Sequence, residues 1–154
     1  MDPYENLRKL GITLPTVVPP VAAYQPAVRS GDHVYVSGQV PMVEGKVSAV
    51  GRLGEGVSVE EGAAAARVCA LNGLAAVEAL VGLSAVRRIV KVVGFVASTP
   101  DFVDHPKVVN GASEVLGEIF GDAGTHARAA VGVAALPLGV PVEVEMIVEL
   151  AERS

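Results

Sequence analysis

The sequence predicts an α+β domain in which two helices cover one face of a β-sheet. Three observations predict it. Two helical patterns are separated by a nearly continuous apolar strand, the C-terminal segment alternates polar and apolar residues with period two, and a strand hairpin precedes the first long helix. The predicted order is β-β-(β)-α-β-α-β-β, and 154 residues suffice for one domain with its own core.

Residues 3–10 can form a short helix, followed by "LPTVVPPV", where Pro19 and Pro20 exclude helix and favour extended backbone. In "AVRSGDHVYVSGQV" a Ser-Gly-Asp turn followed by alternating Val34 and Val36 predicts the hairpin. The Gly-rich stretch from Gly45 to Gly56 reads as loop with one short strand. Ser58 and Glu61 form a capping box ahead of an Ala-rich helix to about Leu80, with Gly82 as its C-cap residue. "RRIVKVVGFVAS" is a largely buried strand, and a second helix runs from about Pro106 to Phe120. "RAAVGVAAL" is a small-residue strand, and "PVEVEMIVEL" puts Val142, Val144, Met146, Val148 and Leu150 on one face and Glu143, Glu145, Ile147 and Glu149 on the other. Antiparallel pairing of these last two strands is expected to bring Glu143 or Glu145 near Arg128.

Composition excludes several functions. A net charge of −5, with only 12 scattered Lys and Arg, offers no basic face for phosphates. Aromatic residues are 4% with no Trp, so a stacking platform for single strands is lacking. Cys69 is alone among Ala, Val and Leu, which rules out an internal disulfide and fits a core position in a reducing cytoplasm. "MDPYENLRKL" carries charges and no long apolar run, so no signal peptide is expected; the most apolar helix carries Arg67, Asn72 and Glu78 and reads as core rather than membrane span. With 51% hydrophobic residues, the free sheet face is expected to pair with other copies of the chain.

His33, His105 and His126 lie far apart and lack Cys or His partners at ligand spacing, so no metal is expected. "GRLGEG" at 51–56 lacks the Lys-Ser/Thr of a phosphate loop. The unusual residue is Arg128, the only Lys or Arg between Lys107 and Arg153, followed by an almost wholly apolar run. It is either a strand-edge cation paired with a surface Glu or a pocket guanidinium that grips an anionic ligand by its planar fork.

Five segments, "VAAYQPAV", "VYVSGQVP", "VVNGASEVLGEIF", "HARAAVGVAALP" and "VPVEVEMIVE", occur in an order that resembles the RidA (YjgF) family from about Val21 to Leu150. The two C-terminal motifs are the most specific. This resemblance implies a chorismate-mutase-like fold and a homotrimer with a central β-barrel and active sites in clefts between subunits. It divides the chain into an N-terminal extension, residues 1–20, that packs on a RidA-like domain of residues 21–154. The segment "PPVAAY" leading to Tyr24, in place of Gly-Pro-Tyr, and the long loop from Ser98 to Pro106 depart from the family pattern.

The resemblance also implies roles. Arg128 looks like the arginine that binds a substrate carboxylate, and Glu143 like the first Glu of the E-x-E strand, which helps position the hydrolytic water. Tyr24 matches a pocket tyrosine, Gly38 a glycine that lets backbone approach the ligand, and Asn110 an asparagine lining the cleft; the backbone carbonyl of Ala130 matches one that contacts the substrate nitrogen or water. The implied reaction is hydrolysis of short 2-imino or enamino acids, such as 2-aminoacrylate or 2-iminobutyrate, to 2-keto acids and ammonia, with no cofactor. The alternative is a trimer that binds small carboxylates without turnover. The endoribonuclease activity attached to the family by name fits poorly with an acidic chain.

Overall fold

The computed structural model describes residues 2–17 and 23–152; the extended backbone expected at Pro19 and Pro20 lies outside them. Helix α1 (Pro3–Leu10) starts where the Asp2 side chain accepts from the Tyr4 amide and stops at Gly11, whose φ of 69° is open to glycine at little cost. Burial of Leu7 contributes roughly 1.5–3 kcal/mol to holding α1 on the domain. Tyr4 Oη donates to Glu78 Oε2 (2.8 Å), and Asn6 Nδ2 donates to the Ile119 carbonyl (2.8 Å).

Strands β1 (Ala27–Ser30) and β2 (His33–Gln39) form the expected hairpin. The Gly-rich stretch holds a little more structure than expected: β3 (Met42–Val43) pairs with β4 (Lys46–Val47), and β5 (Arg52–Leu53) with β6 (Gly56–Val57). Helix α2 (Val59–Val81) opens on the capping box of Ser58 and Glu61 and ends at Gly82. Strand β7 (Val86–Ala97), helix α3 (His105–Phe120), strand β8 (Ala127–Val133) and strand β9 (Val142–Leu150) complete the chain.

The main sheet has the order β1-β2-β9-β7-β8 and is mixed: β8 runs parallel to β7, and every other pairing is antiparallel. This corrects the expected pairing of the last two strands. A helical crossover such as α3 returns the chain parallel to the strand it left, so β8 takes the outer edge of β7. The longer alternating strand β9 then fills the gap between β7 and β2.

The core lies between the sheet and the two helices. Val34, Val36, Ile89, Val92, Val142, Val144, Met146 and Val148 meet Ala66, Cys69, Leu74 and Val77 of α2 and Val109, Ala112 and Leu116 of α3. By length and composition α2 could cross a membrane; here ten of its residues are buried, seven of them in this core. Gly111 lets α2 and α3 approach closely, because a Cβ there would overlap the Ala63 carbonyl. The opposite sheet face stays open in the single chain, with Tyr35 49% and Val131 43% exposed.

Candidate active site

Strand β8 is an edge strand, and its place beside α3 decides where Arg128 points. The guanidinium reaches the helix: Nη1 donates to Asn110 Oδ1 (2.7 Å) and to Ser113 Oγ (3.1 Å). Asn110 and Ser113 stand three residues apart, on one side of α3. His126 extends the cluster, with Nε2 2.9 Å from Ser113 Oγ and Nδ1 2.6 Å from the Gly124 carbonyl.

No carboxylate takes part. The ion pairs among the described residues, such as Arg67 with Glu118 and Arg87 with Glu149, leave Arg128 out. The guanidinium is half-buried, and only neutral oxygens hold it. Two of its five N–H groups are used by these bonds, and those on Nε and Nη2 meet no acceptor among the described residues. The expectation that Glu143 or Glu145 lies near Arg128 is therefore not met.

Glu143 instead faces away from the helices. It sits on β9 between the buried Val142 and Val144, opposite Phe95 of β7, which in turn pairs with Val131 of β8. From Arg128 that is two strand spacings across and three residues along, so the Cα atoms lie roughly 14 Å apart. The Glu143 carboxylate rests on Gly38, where Oε1 comes within 2.6 Å of the place a side-chain Cβ would occupy. A side chain at that position would push the carboxylate from this place. Burial, and then the charge of Glu145, raise the Glu143 pKa above the ordinary carboxylate range. A carboxyl group so shifted keeps its proton to a higher pH than an exposed carboxylate does. Burial, and secondarily the Glu143 charge, push the Cys69 thiol up, so it is protonated and packs as core.

The six residues singled out in the sequence thus fall into three places. Arg128 and Asn110 meet directly, with Ala130 two residues along the same face of β8. Gly38 and Glu143 meet across β2 and β9. Tyr24 stands apart and is 56% exposed. Four participants were missed. Ser113 had a signal in its spacing of three from Asn110 on an otherwise apolar helix face. His126 had none at metal-ligand spacing, and its role appears only when α3 packs beside it. Ser98 and His105 form a second polar pair, Oγ to Nε2 3.1 Å, and the imidazole fills the space over Gly132, in edge contact with Phe102. Among the described residues no three His, Cys, Asp or Glu gather to hold a metal.

The chain is similar over nearly its whole length to known proteins. Residues 5–150 match the family described as "YjgF/chorismate mutase-like, putative endoribonuclease". Protein TCP17 of Trypanosoma cruzi is 46% identical over 147 residues, which cover 94% of this chain and 92% of that protein. A crystal structure of a protein of unknown function from Agrobacterium tumefaciens is 45% identical, with a TM-score of 0.90 over 97% of this chain and 92% of that one. The structure of E. coli TdcF with bound serine is 25% identical, with a TM-score of 0.64 over 88% of this chain and 94% of that one. With nearly its whole length matched and the mixed sheet backed by two helices in place, the chain belongs to the YjgF/chorismate-mutase-like family.

Proposed function

We propose that the protein hydrolyses short 2-imino or enamino acids, of the 2-aminoacrylate and 2-iminobutyrate type, to 2-keto acids and ammonia. The observation that carries this reading is the condition of Arg128: a charged fork held by two neutral oxygens with one edge unspent. Such a group takes one carboxylate bidentately. The serine bound by TdcF, itself a small amino acid with a carboxylate, supports a ligand of this size and charge.

The chemistry asks for little beyond positioning. Water adds across the protonated C=N bond, its oxygen bonding to carbon as the π pair moves to nitrogen. One proton passes from that oxygen to nitrogen, and the C–N bond breaks with its electron pair leaving on ammonia. An oxygen lone pair closes C=O as the remaining hydroxyl proton passes to the Glu143 carboxylate or to solvent, leaving the keto acid. Arg128 holds the carboxylate, the raised Glu143 carboxyl places the water and relays the proton, and the Ala130 carbonyl contacts the substrate nitrogen or water. Tyr24 and Gly38 form the walls of the pocket. In this proposal the site lies in a cleft between copies of a homotrimer, which is supported by the open sheet face and by the separation of Arg128 from Glu143 within one chain. Residues 1–20 act as an extension that braces the domain through the bonds of Tyr4 and Asn6.

A second reading, a trimer that binds small carboxylates without turnover, is favoured by the same separation, since the Arg128 cluster is complete without Glu143. Generating 2-iminobutyrate in situ with a dehydratase, in competition with semicarbazide, distinguishes the two. The wild type is expected to accelerate keto-acid release and Arg128→Ala to abolish the acceleration. Binding of 2-oxobutyrate with no acceleration would establish the second reading. RNA cleavage is disfavoured by the net charge of −5.

A further inference from the structure

We infer that His126, acting through Ser113, fixes which edge of the Arg128 guanidinium faces the ligand, so that both are positioning residues of a site selective for monocarboxylates. This rests on Arg128 being the carboxylate clamp. The assignment comes from an inventory of protons. Arginine only donates, so Ser113 Oγ accepts from Nη1. The Gly124 carbonyl only accepts, so His126 carries its proton on Nδ1. We assign the ring this one proton, so Nε2 presents a lone pair 2.9 Å from Ser113 Oγ and the single hydroxyl hydrogen goes there. Each link has one direction, from Arg128 to Ser113 to His126 to the Gly124 carbonyl.

The far end of this relay is anchored. Gly124 is buried so tightly against α3 that a Cβ would overlap the Leu116 carbonyl. With its hydrogen committed to His126, Ser113 turns lone pairs toward Arg128, and both hydrogens of Nη1 are held, one by Asn110 and one by Ser113. Rotation about the Cζ–Nε bond would break both. The edge left over is the side-on pair of Nε and Nη2, which fits one carboxylate in the guanidinium plane. Asn110 and Ser113 add no positive charge, so these partners offer no countercharge to a second carboxylate. If His126 is removed, the Ser113 hydroxyl is free to turn its hydrogen toward Nη1, and the guanidinium swings away.

Nitrogen NMR on the uniformly labelled full-length protein reads this directly. Wild type should show His126 protonated on Nδ1 and bare on Nε2, with separate Nη1 and Nη2 signals for Arg128. His126→Phe and Ser113→Ala should merge the two Nη signals and weaken 2-oxobutyrate binding about tenfold, the equivalent of one lost hydrogen bond. His126→Gln, whose amide oxygen can accept from Ser113, should restore both. A proton on Nε2 in the wild type, or separate Nη signals persisting in His126→Phe, overturns the inference. The wild-type tautomer decides even if a variant fails to fold. Should the wild type show the relay yet bind no 2-oxobutyrate, the relay stands and the clamp reading falls.

Discussion

Replacing Arg128 with lysine separates the charge of the clamp from its shape. Arg128→Lys keeps one positive charge at the same strand position and removes the planar fork. In the wild type, Nη1 serves Asn110 and Ser113 while Nε and Nη2 remain for a carboxylate, so protein and ligand do not compete for donors. An ammonium has three hydrogens. Serving Asn110 and Ser113 would use two and leave one for the ligand. The loss is then one charge-assisted hydrogen bond, about 1.5–3 kcal/mol, or roughly 10- to 150-fold in affinity. Calorimetric titration of 2-oxobutyrate into wild type, Arg128→Lys and Arg128→Ala, with circular dichroism to check folding, measures this. Lysine should fall between the other two. Binding by Arg128→Lys within twofold of wild type would mean that a point charge suffices and would refute the free-edge geometry.

Two further expectations concern stability. A folded-state pKa raised above the unfolded value means that the folded chain holds the Glu143 proton more tightly, so the associated stabilisation is full below the unfolded value of about 4.3 and is lost as pH rises through the folded one. Glu143→Gln, which cannot ionise, should therefore gain on wild type in urea midpoint as pH climbs from about 4 to about 8; parallel curves would contradict the raised pKa. Gly111→Ala should force α2 and α3 apart at the Ala63 carbonyl, costing about 1–3 kcal/mol and lowering Tm by roughly 2–12 °C. Gly117→Ala, in the same helix with nothing within 4 Å of the added Cβ, is the control, and an equal loss there would point to a helix-wide effect instead.

Legibility in the sequence followed the range of the signal. The capping box at Ser58 and Glu61, Gly82 after the helix and Pro106 in the first turn of α3 are local, and the helices begin and end within a residue or two of where those signals put them. The alternation of β9 correctly separated the buried valines from the glutamates. The order of strands was not legible from any such pattern, because which edge β9 joins is decided by contacts distant in sequence. One rule was nevertheless at hand: a strand entered through a helical crossover lies parallel to its predecessor, which gives the direction of β8 beside β7 but not the edge that β9 joins. The cluster around Arg128 was half legible. Asn110 and Arg128 stood out by type and motif, whereas His126 gains meaning only from the hydroxyl that α3 sets beside it.

The opposed orientation of Arg128 and Glu143 gives the proposed chemistry a structural condition. Arg128 is turned to the helices, and Glu143, with Gly38 beneath it, is turned to the open face. An imine with its carboxylate on Arg128 has its reacting carbon one bond away, so a water activated by Glu143 of the same chain would be out of reach across a separation of roughly 14 Å between Cα atoms. Hydrolysis by this pair therefore requires that a second copy bring the open sheet face that carries its own Glu143 to Arg128. Binding has no such requirement, since the three hydrogens left on Arg128 are presented by one chain alone. In the proposed reaction, carboxylate affinity and turnover accordingly depend on different levels of the structure, the first on α3 against β8 and the second on assembly.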